Sequence, residues 1–282
     1  MKIIGLTTGE HKYHIKIMKE NNAEIHNMGK WPNRFINEFF KLPNGDIYIT
    51  ESNFYAPIII KKIIQRKKIK VVNIAASPKI FLTKNSIMKW LINKVDLMLV
   101  EGVFGKENIR KIGYKGKTQI IYPTFDKEKF EKVNVKKDKK IKIVTIARFD
   151  WKIKGLDILE KAIENIDCEV YVIGKSKYKP KTNKMKMLGE LKKEELLEIF
   201  RKTNLYVQAS RFETFSIATL EAAYSGLPVI VSNNCGVKEF VNEKYIFKNS
   251  KELNEILKQN KFEKSFNFEK YEKADKKIKI IF

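Results

Sequence analysis

Short apolar, β-branched runs recur along the chain, each bounded by turn formers and separated by stretches of helical spacing. In the first half, residues 2–6, 46–50, 70–74, 97–101 and 119–122 read as strands. Pro43-Asn44-Gly45 introduces the second and Pro123 stops the fifth. Between them, residues 55–68 set Ile59, Ile60, Ile63 and Ile64 at helical spacing, and residues 85–93 form another helical stretch. The second half repeats the plan, with strands at 141–146, 169–173, 205–208 and 229–232. Helices are predicted at about 155–165, 193–202 and 217–225, the first with Leu156, Leu159, Ile163 and Ile166 on one face. Gly226 ends the last of these and Pro228 opens the strand that follows. Strands alternating with helices imply βαβ units and parallel sheets. The expectation is an α/β chain of two lobes joined near residue 140, where a Lys-rich segment, 136–140, reads as a linker. Ligands of open parallel sheets bind beyond the carboxyl ends of the strands. Two such ends facing one another would make a cleft.

Charge narrows the partners. Lys and Arg total 57 against 33 acids, a net charge of +24. Such a surface attracts nucleic acid, anionic membrane or phosphorylated small molecules. An AT-rich coding sequence would also produce a chain this rich in Lys, Ile and Asn. The 2 cysteines, Cys168 and Cys235, show no metal-type or disulfide-framework spacing. Cys168 opens an apolar run and reads as core. His11, His14 and His26 crowd the N-terminus without an evident third ligand, so no metal site is expected. No apolar run approaches the length of a membrane span, and the N-terminus turns polar too early for a signal peptide. The expected location is the cytoplasm.

Candidate chemistry lies at the carboxyl ends of strands in the second half. The loop after 141–146 carries Arg148, Lys154 and Gly155. It offers a guanidinium fork, a point charge and a close backbone approach, all suited to phosphate oxygens. The loop after 205–208 carries Glu213 and runs through Thr214, Phe215 and Ser216 into a helix bearing Glu221. Free N–H groups at that helix start favour a pyrophosphate. Glu221 sits among Leu220, Ala222 and Ala223, where a carboxylate needs a partner: a ribose diol, or a buried cation as the structural alternative. Gly236, in the turn after 229–232, is assigned a structural role.

The run Glu213-x7-Glu221, followed by Ala222-Ala223-Tyr224-Ser225-Gly226-Leu227-Pro228-Val229-Ile230, resembles the donor-site signature of retaining glycosyltransferases of family 4. Arg148 with Lys154-Gly155 resembles that family's diphosphate-binding pair, and Val172-Ile173-Gly174 and Leu188-Gly189 are similar to further landmarks. The strand patterns at 95–101 and 120–123 also fit, so the resemblance covers residues 90–245. It implies the GT-B fold: two Rossmann-like lobes with parallel sheets facing across a cleft. The implied domains are an acceptor-side domain at 1–138, a donor domain at 139–262 and a helical tail at 263–282 that crosses back to the first domain. It further implies that a hexose-type sugar moves from a nucleotide-diphosphate sugar, with retention and without metal or other cofactor. Glu221 would bind the ribose and Glu213 would lie beside the sugar. Arg148 and Lys154 would neutralise the diphosphate, while the backbone at Thr214, Phe215, Ser216 and Gly189 would contact the donor. The implied acceptor is a lipid, glycan or other cell-envelope molecule.

The chain departs from the family at three points. Only Gly9 represents the glycine-rich loop of the first lobe, Ala75-Ala76-Ser77-Pro78 replaces a usual histidine, and Ser216 replaces a usual glycine. Two alternatives follow: an inactive relative that binds a nucleotide sugar, or a basic nucleic-acid-binding protein built on Lys61, Lys62, Arg66, Lys67, Lys68 and Lys70. No nucleic-acid reader motif is present, so that partner is disfavoured. Finally, Ile87, Met88, Trp90, Leu91 and Ile92 among Lys84, Lys89 and Lys94 suit a peripheral seat on the anionic inner face of a membrane, or else an ordinary core-facing helix.

Overall fold

The computed structural model describes residues 1–9, 12–28, 42–51, 54–65, 68–133, 140–148, 150–274 and 280. They form two compact units, one from Met1–Pro123 with Asp275–Phe282 and one from Thr124–Ala274. Each holds one parallel six-stranded sheet.

The strands of the first sheet are β1 (Ile3–Thr7), β2 (Glu24–Asn27), β3 (Ile47–Glu51), β4 (Lys70–Ala75), β5 (Leu97–Glu101) and β6 (Lys117–Ile121). Their order is β2-β1-β3-β4-β5-β6, so the direction of winding reverses between β1 and β3. Every residue of β3 and β5 is buried, as expected for strands covered on both faces. The helices are α1 (Lys12–Glu20), α2 (Tyr55–Gln65), α3 (Pro78–Phe81), α4 (Ser86–Ile92) and α5 (Gly102–Lys111). Helix α1 buries Tyr13, His14, Ile17 and Met18, a single stripe at helical spacing. Tyr13, Ile17 and Met18 pack on Ile47, Ile49, Val72, Ile74, Leu97, Leu99 and Ile121. Ile280 joins the same core, and its N–H donates to Asn21 Oδ1 at 3.1 Å.

The second unit carries β7 (Ile141–Ile146), β8 (Cys168–Ile173), β9 (Met185–Gly189), β10 (Leu205–Gln208), β11 (Val229–Ser232) and β12 (Ile246–Phe247). Its helices are α6 (Trp151–Lys154), α7 (Leu156–Ala162), α8 (Lys193–Lys202), α9 (Ile217–Tyr224), α10 (Ser250–Lys258) and α11 (Phe268–Ala274). The order β12-β11-β10-β7-β8-β9 is the doubly wound Rossmann arrangement, with its reversal between β7 and β10. Cys168 begins β8 and is buried, as the sequence suggested.

The division falls at Pro123, earlier than the Lys-rich segment, of which only Lys140 lies among the described residues. The reason is packing. Phe130 and Val133 are buried, the Val133 N–H donates to Ser225 O at 2.8 Å, and the Phe125 ring meets Tyr224 edge-on. Residues 263–274 likewise stay with the second unit. Phe266 and Tyr271 join Phe215 and Phe240 in one aromatic cluster. The sequence reading also missed α1, α3, α5, α6, β2, β9 and β12. The stripe of α1 is short and counts a histidine among its four buried residues, and β2, β9 and β12 are short or polar strands at sheet edges.

Candidate donor site at the reversal of the second sheet

The reversal between β7 and β10 opens a crevice at the carboxyl end of the sheet, and both motif loops leave from it. After β7, the Ala147 N–H still pairs with Ile173 O at 2.8 Å, and Arg148 then emerges exposed. Asp150 caps α6 by accepting from the N–H groups of Lys152 and Ile153. Gly155 links α6 to α7 with φ +67°, and a Cβ there would stand 1.9 Å from Ala209 O. Only glycine lets this loop lie on the end of β10. Arg211 ties the two loops together. Its N–H donates to Ile153 O at 2.8 Å, and its guanidinium grips Asp157 through bonds of 2.7 and 2.6 Å.

The second loop is held from the other side by the turn after β11. The Glu213 N–H donates to Asn234 O at 3.0 Å, Gly236 N–H to Glu213 O at 2.9 Å, and Val237 N–H to Phe215 O at 3.0 Å. A Cβ on Gly236 would lie 1.9 Å from Thr214 O, so the structural role assigned to that glycine holds. Thr214 is buried, and the Phe215 side chain is a core ring rather than a wall of the crevice. Ser216 stands at φ +91°, a region that disfavours side chains. Its hydroxyl offsets part of that cost. It accepts from Thr219 N–H, shares a 2.8 Å hydrogen bond with Thr219 Oγ1 and donates to Gln208 Oε1. Helix α9 follows, and its first-turn N–H groups at Ile217 and Ala218 lack intrahelical partners by geometry.

These constraints bring four predicted residues to one crevice. Lys154 forms an ion pair with Glu213, both partly buried. Glu221 accepts no hydrogen bond from a described residue. Its burial pushes its carboxyl up to about 7, against the pull of the facing charges of Lys193 and Arg148. Lys193, the first residue of α8, is a member of the site that sequence reading missed, because one more lysine carries no signal in a chain with 57 Lys and Arg. Its ammonium lies against the Phe130 ring and donates no hydrogen bond to a described residue, and burial pushes it down to about 8. Gly189 ends β9 with φ +73°, its carbonyl accepting Gly174 N–H at 2.6 Å, and its Cβ position faces open space. The assembly offers three cations, a partly buried carboxylate and a helix start, which together suit an anionic ligand bearing hydroxyls.

Other motifs resolve differently. Lys61 is buried and donates to Leu42 O, Pro43 O and Asn44 Oδ1, and Lys62 pairs with Asp96 at 2.9 Å. These two cations of the basic run serve the fold, whereas Arg66 and Lys67 lie outside the described residues. So does His11. No helix among the described residues is long and apolar enough to cross a membrane.

Comparison with known proteins agrees with this geometry. The model of the glycosyl transferases group 1 family matches residues 126–277, more than half of the chain. The chain belongs to that family. A Klebsiella pneumoniae protein described as an uncharacterized 41.2 kDa protein in the cps region is 26% identical over 209 residues, covering 64% of this chain and 57% of that protein. The chain thus spans under two thirds of that relative's length. Among solved structures, Anabaena Alr3699/HepE in complex with UDP and glucose aligns over 98% of this chain and 92% of its own, with TM-score 0.68 and 14% identity. The lipopolysaccharide outer core galactosyltransferase WaaB in its apo form aligns over 94% and 92%, with TM-score 0.68 and 13% identity. At these identities the likeness shows the fold alone: two Rossmann-like lobes of the GT-B class.

Proposed function

We propose that the chain is a retaining glycosyltransferase of family 4 that transfers a hexose-type sugar from a nucleotide-diphosphate sugar. The observation that carries this reading is the crevice between β7 and β10, where Arg148, Lys154, Glu213 and Glu221 meet at a helix start. Glu221 accepts from the two ribose hydroxyls. Arg148 and Lys154 face the diphosphate and stabilise the charge that grows there as the bond from sugar to phosphate breaks. Glu213 lies beside the sugar and holds Lys154 in place until the donor arrives. The backbone at Thr214, Phe215, Ser216 and Gly189 lines the donor. Two side-chain cations take the part a divalent ion plays elsewhere, so no metal or cofactor is assigned. The first unit serves the acceptor, a lipid-linked or glycan molecule of the cell envelope.

Membrane seating belongs to the same proposal. Ile63, Ile64, Leu82, Ile87 and Trp90 stay exposed on α2, α4 and the segment between them, and Lys94 Nζ sits 5.4 Å from the Trp90 ring. Exposed apolar side chains rimmed by lysine suit the anionic inner leaflet and a cytoplasmic, peripheral location. Co-flotation with anionic liposomes, reduced in Trp90→Ala, is the expected result.

The deciding experiment is thermal stabilisation of wild type and Glu221→Ala by a panel of nucleotides and nucleotide sugars, starting with UDP and UDP-glucose. Stabilisation by one donor, absent in Glu221→Ala, is expected. A panel without any effect on the wild type defeats the donor-site assignment.

A further inference from the structure

The loop from β8 to β9 carries a line of charge that the donor reading does not use. It places Lys175, Lys177, Lys179 and Lys181 at every second position. All four are exposed, whereas Ser176, Tyr178, Pro180 and Thr182 are half-buried. This alternation is that of an extended chain, whose successive side chains point to opposite faces. Lysines two apart in such a chain stand about 7 Å from one another, and the four span about 20 Å.

The stripe is fastened to the body of the second unit. Glu160, on α7, accepts from the Tyr178 hydroxyl at 2.6 Å, from Lys181 N–H at 2.6 Å and from Thr182 N–H at 3.2 Å. The Tyr178 ring packs against Trp151 with centroids 4.9 Å apart. Just past the stripe, Lys184 Nζ donates to Ile163 O, Glu164 O and Ile166 O at 2.8 to 2.9 Å, closing the end of α7. The four exposed lysines are therefore presented by an ordered backbone, and little entropy is lost in lining them up.

Their charge is not neutralised from within. Lys186, further along, pairs with Glu169 at 2.8 Å, but none of the four stripe ammoniums meets an acid or an acceptor among the described residues. Glu160 is the acid that touches the loop, and it spends both oxygens on the Tyr178 hydroxyl and backbone N–H groups. A line of unpaired cations fits a linear polyanion.

The surroundings narrow the kind of polyanion. Nucleic acid strands held in basic grooves stack their bases on aromatic rings, but Tyr178 and Trp151 are half-buried and occupied with each other. Seating on a bilayer needs apolar side chains beside the charge, and no large apolar side chain is exposed among the described residues of the second unit. A polymer recognised through charge alone remains, and in a member of a glycosyl transferase family that polymer is a glycan. The loop also starts beside the candidate donor crevice. Gly174, its first residue, stands at φ +115°, and a Cβ there would lie 3.1 Å from Arg148 Cγ.

We propose that the 175–181 stripe binds an anionic glycan, a saccharide chain bearing carboxylate or phosphate groups, and holds it beside the crevice of the second unit. The role of that glycan as acceptor or growing product rests on the glycosyltransferase reading, whereas its binding does not.

The test is fluorescence anisotropy on the full chain with labelled oligogalacturonate, which carries carboxylates, and labelled phosphomannan, which carries phosphates. Three proteins are compared: wild type, a stripe variant and a control variant with the same net charge. The stripe variant combines Lys175→Gln, Lys177→Gln, Lys179→Gln and Lys181→Gln. The control combines Lys202→Gln, Lys248→Gln, Lys251→Gln and Lys261→Gln, exposed lysines elsewhere on the second unit. Thermal midpoints report folding. At least one glycan is expected to bind the wild type, with affinity falling about tenfold or more in the stripe variant and about twofold or less in the control. Failure of folded wild type to bind either glycan overturns the proposal, as do equal losses in the two variants, which would report net charge alone. Tighter stripe-dependent binding of a DNA strand or of anionic vesicles also overturns it, in favour of nucleic acid or membrane. Stabilisation by UDP-glucose is read in parallel and is expected to persist in the stripe variant, so failure of the donor reading and failure of this one remain distinguishable.

Discussion

The two sheets place charged clusters at equivalent points, the carboxyl end beside the reversal of strand order, and fill them oppositely. In the second unit the cluster is rich in cations: Arg148, Lys154 and Lys193 surround Glu213 and Glu221 at a helix start. In the first unit two carboxylates share one histidine. Parallel topology thus chooses where a ligand sits, while the residues that end each strand choose its charge. The pairings also differ in rigidity. The second cluster depends on loops locked by glycines against backbone, and the first on side chains leaving strand ends and a helix face.

The sharpest way to break this comparison is Gly155→Ala. The new Cβ would strike Ala209 O in a left-handed backbone, so the second unit should lose about 3 kcal/mol or more in denaturant unfolding, with no change in the first unit. Next is Lys154→Ala, which leaves Glu213 without its ion-pair partner and, on the proposed reading, takes a cation from the diphosphate. Turnover of the donor should fall about 100-fold or more, measured as UDP release from UDP-glucose.

A third effect separates the clusters by pH. His14 is raised from 6.5 to about 9, so its contribution to stability is complete below about 6.5 and disappears as pH climbs through about 9. Glu51 is held down at about 2, where hydrogen bonding and charge from His14 outweigh burial. Its contribution is complete above about 4.5 and disappears as pH falls toward about 2. Among the described residues, the groups facing His14 include Glu51 from β3, Glu101 from β5 and Tyr13 from its own helix, with the Thr7 and Thr8 hydroxyls bound to Glu51 beyond. Thermal midpoints followed up to pH 10 should fall in wild type by an amount that His14→Gln abolishes. The smallest effect is expected from Ser216→Gly. Relief of the φ +91° backbone, less a few tenths of a kcal/mol for the weaker cap, should stabilise the second unit by about 1 kcal/mol or less.

The legibility of the two clusters differs as much as their charge. The donor loops could be read from the chain because each is a continuous segment following a clearly apolar strand. The strands 97–101, 141–146, 205–208 and 229–232 coincide with β5, β7, β10 and β11. Lys193 escaped notice because it reaches Glu221 from another element. The first-unit cluster was hidden more deeply. His14 was weighed only as a metal ligand, and α1 was not predicted because its stripe is short and includes that histidine. Glu101 was read only as the end of the strand 97–101, and Glu51 falls one residue past the strand read at 46–50.

By itself, the sequence determined the alternation of strands and helices, the two-lobed plan and which loops follow β7 and β10, because periodicity and turn chemistry act over a few residues. Tertiary structure decided the rest. It moved the division to Pro123, turned Phe215 into the core, committed Lys154 to Glu213 and set His14 between two carboxylates. The physical reason is range. Glu51 lies 37 residues from His14 along the chain, and only the register of parallel strands with a helix packed across them makes the two neighbours.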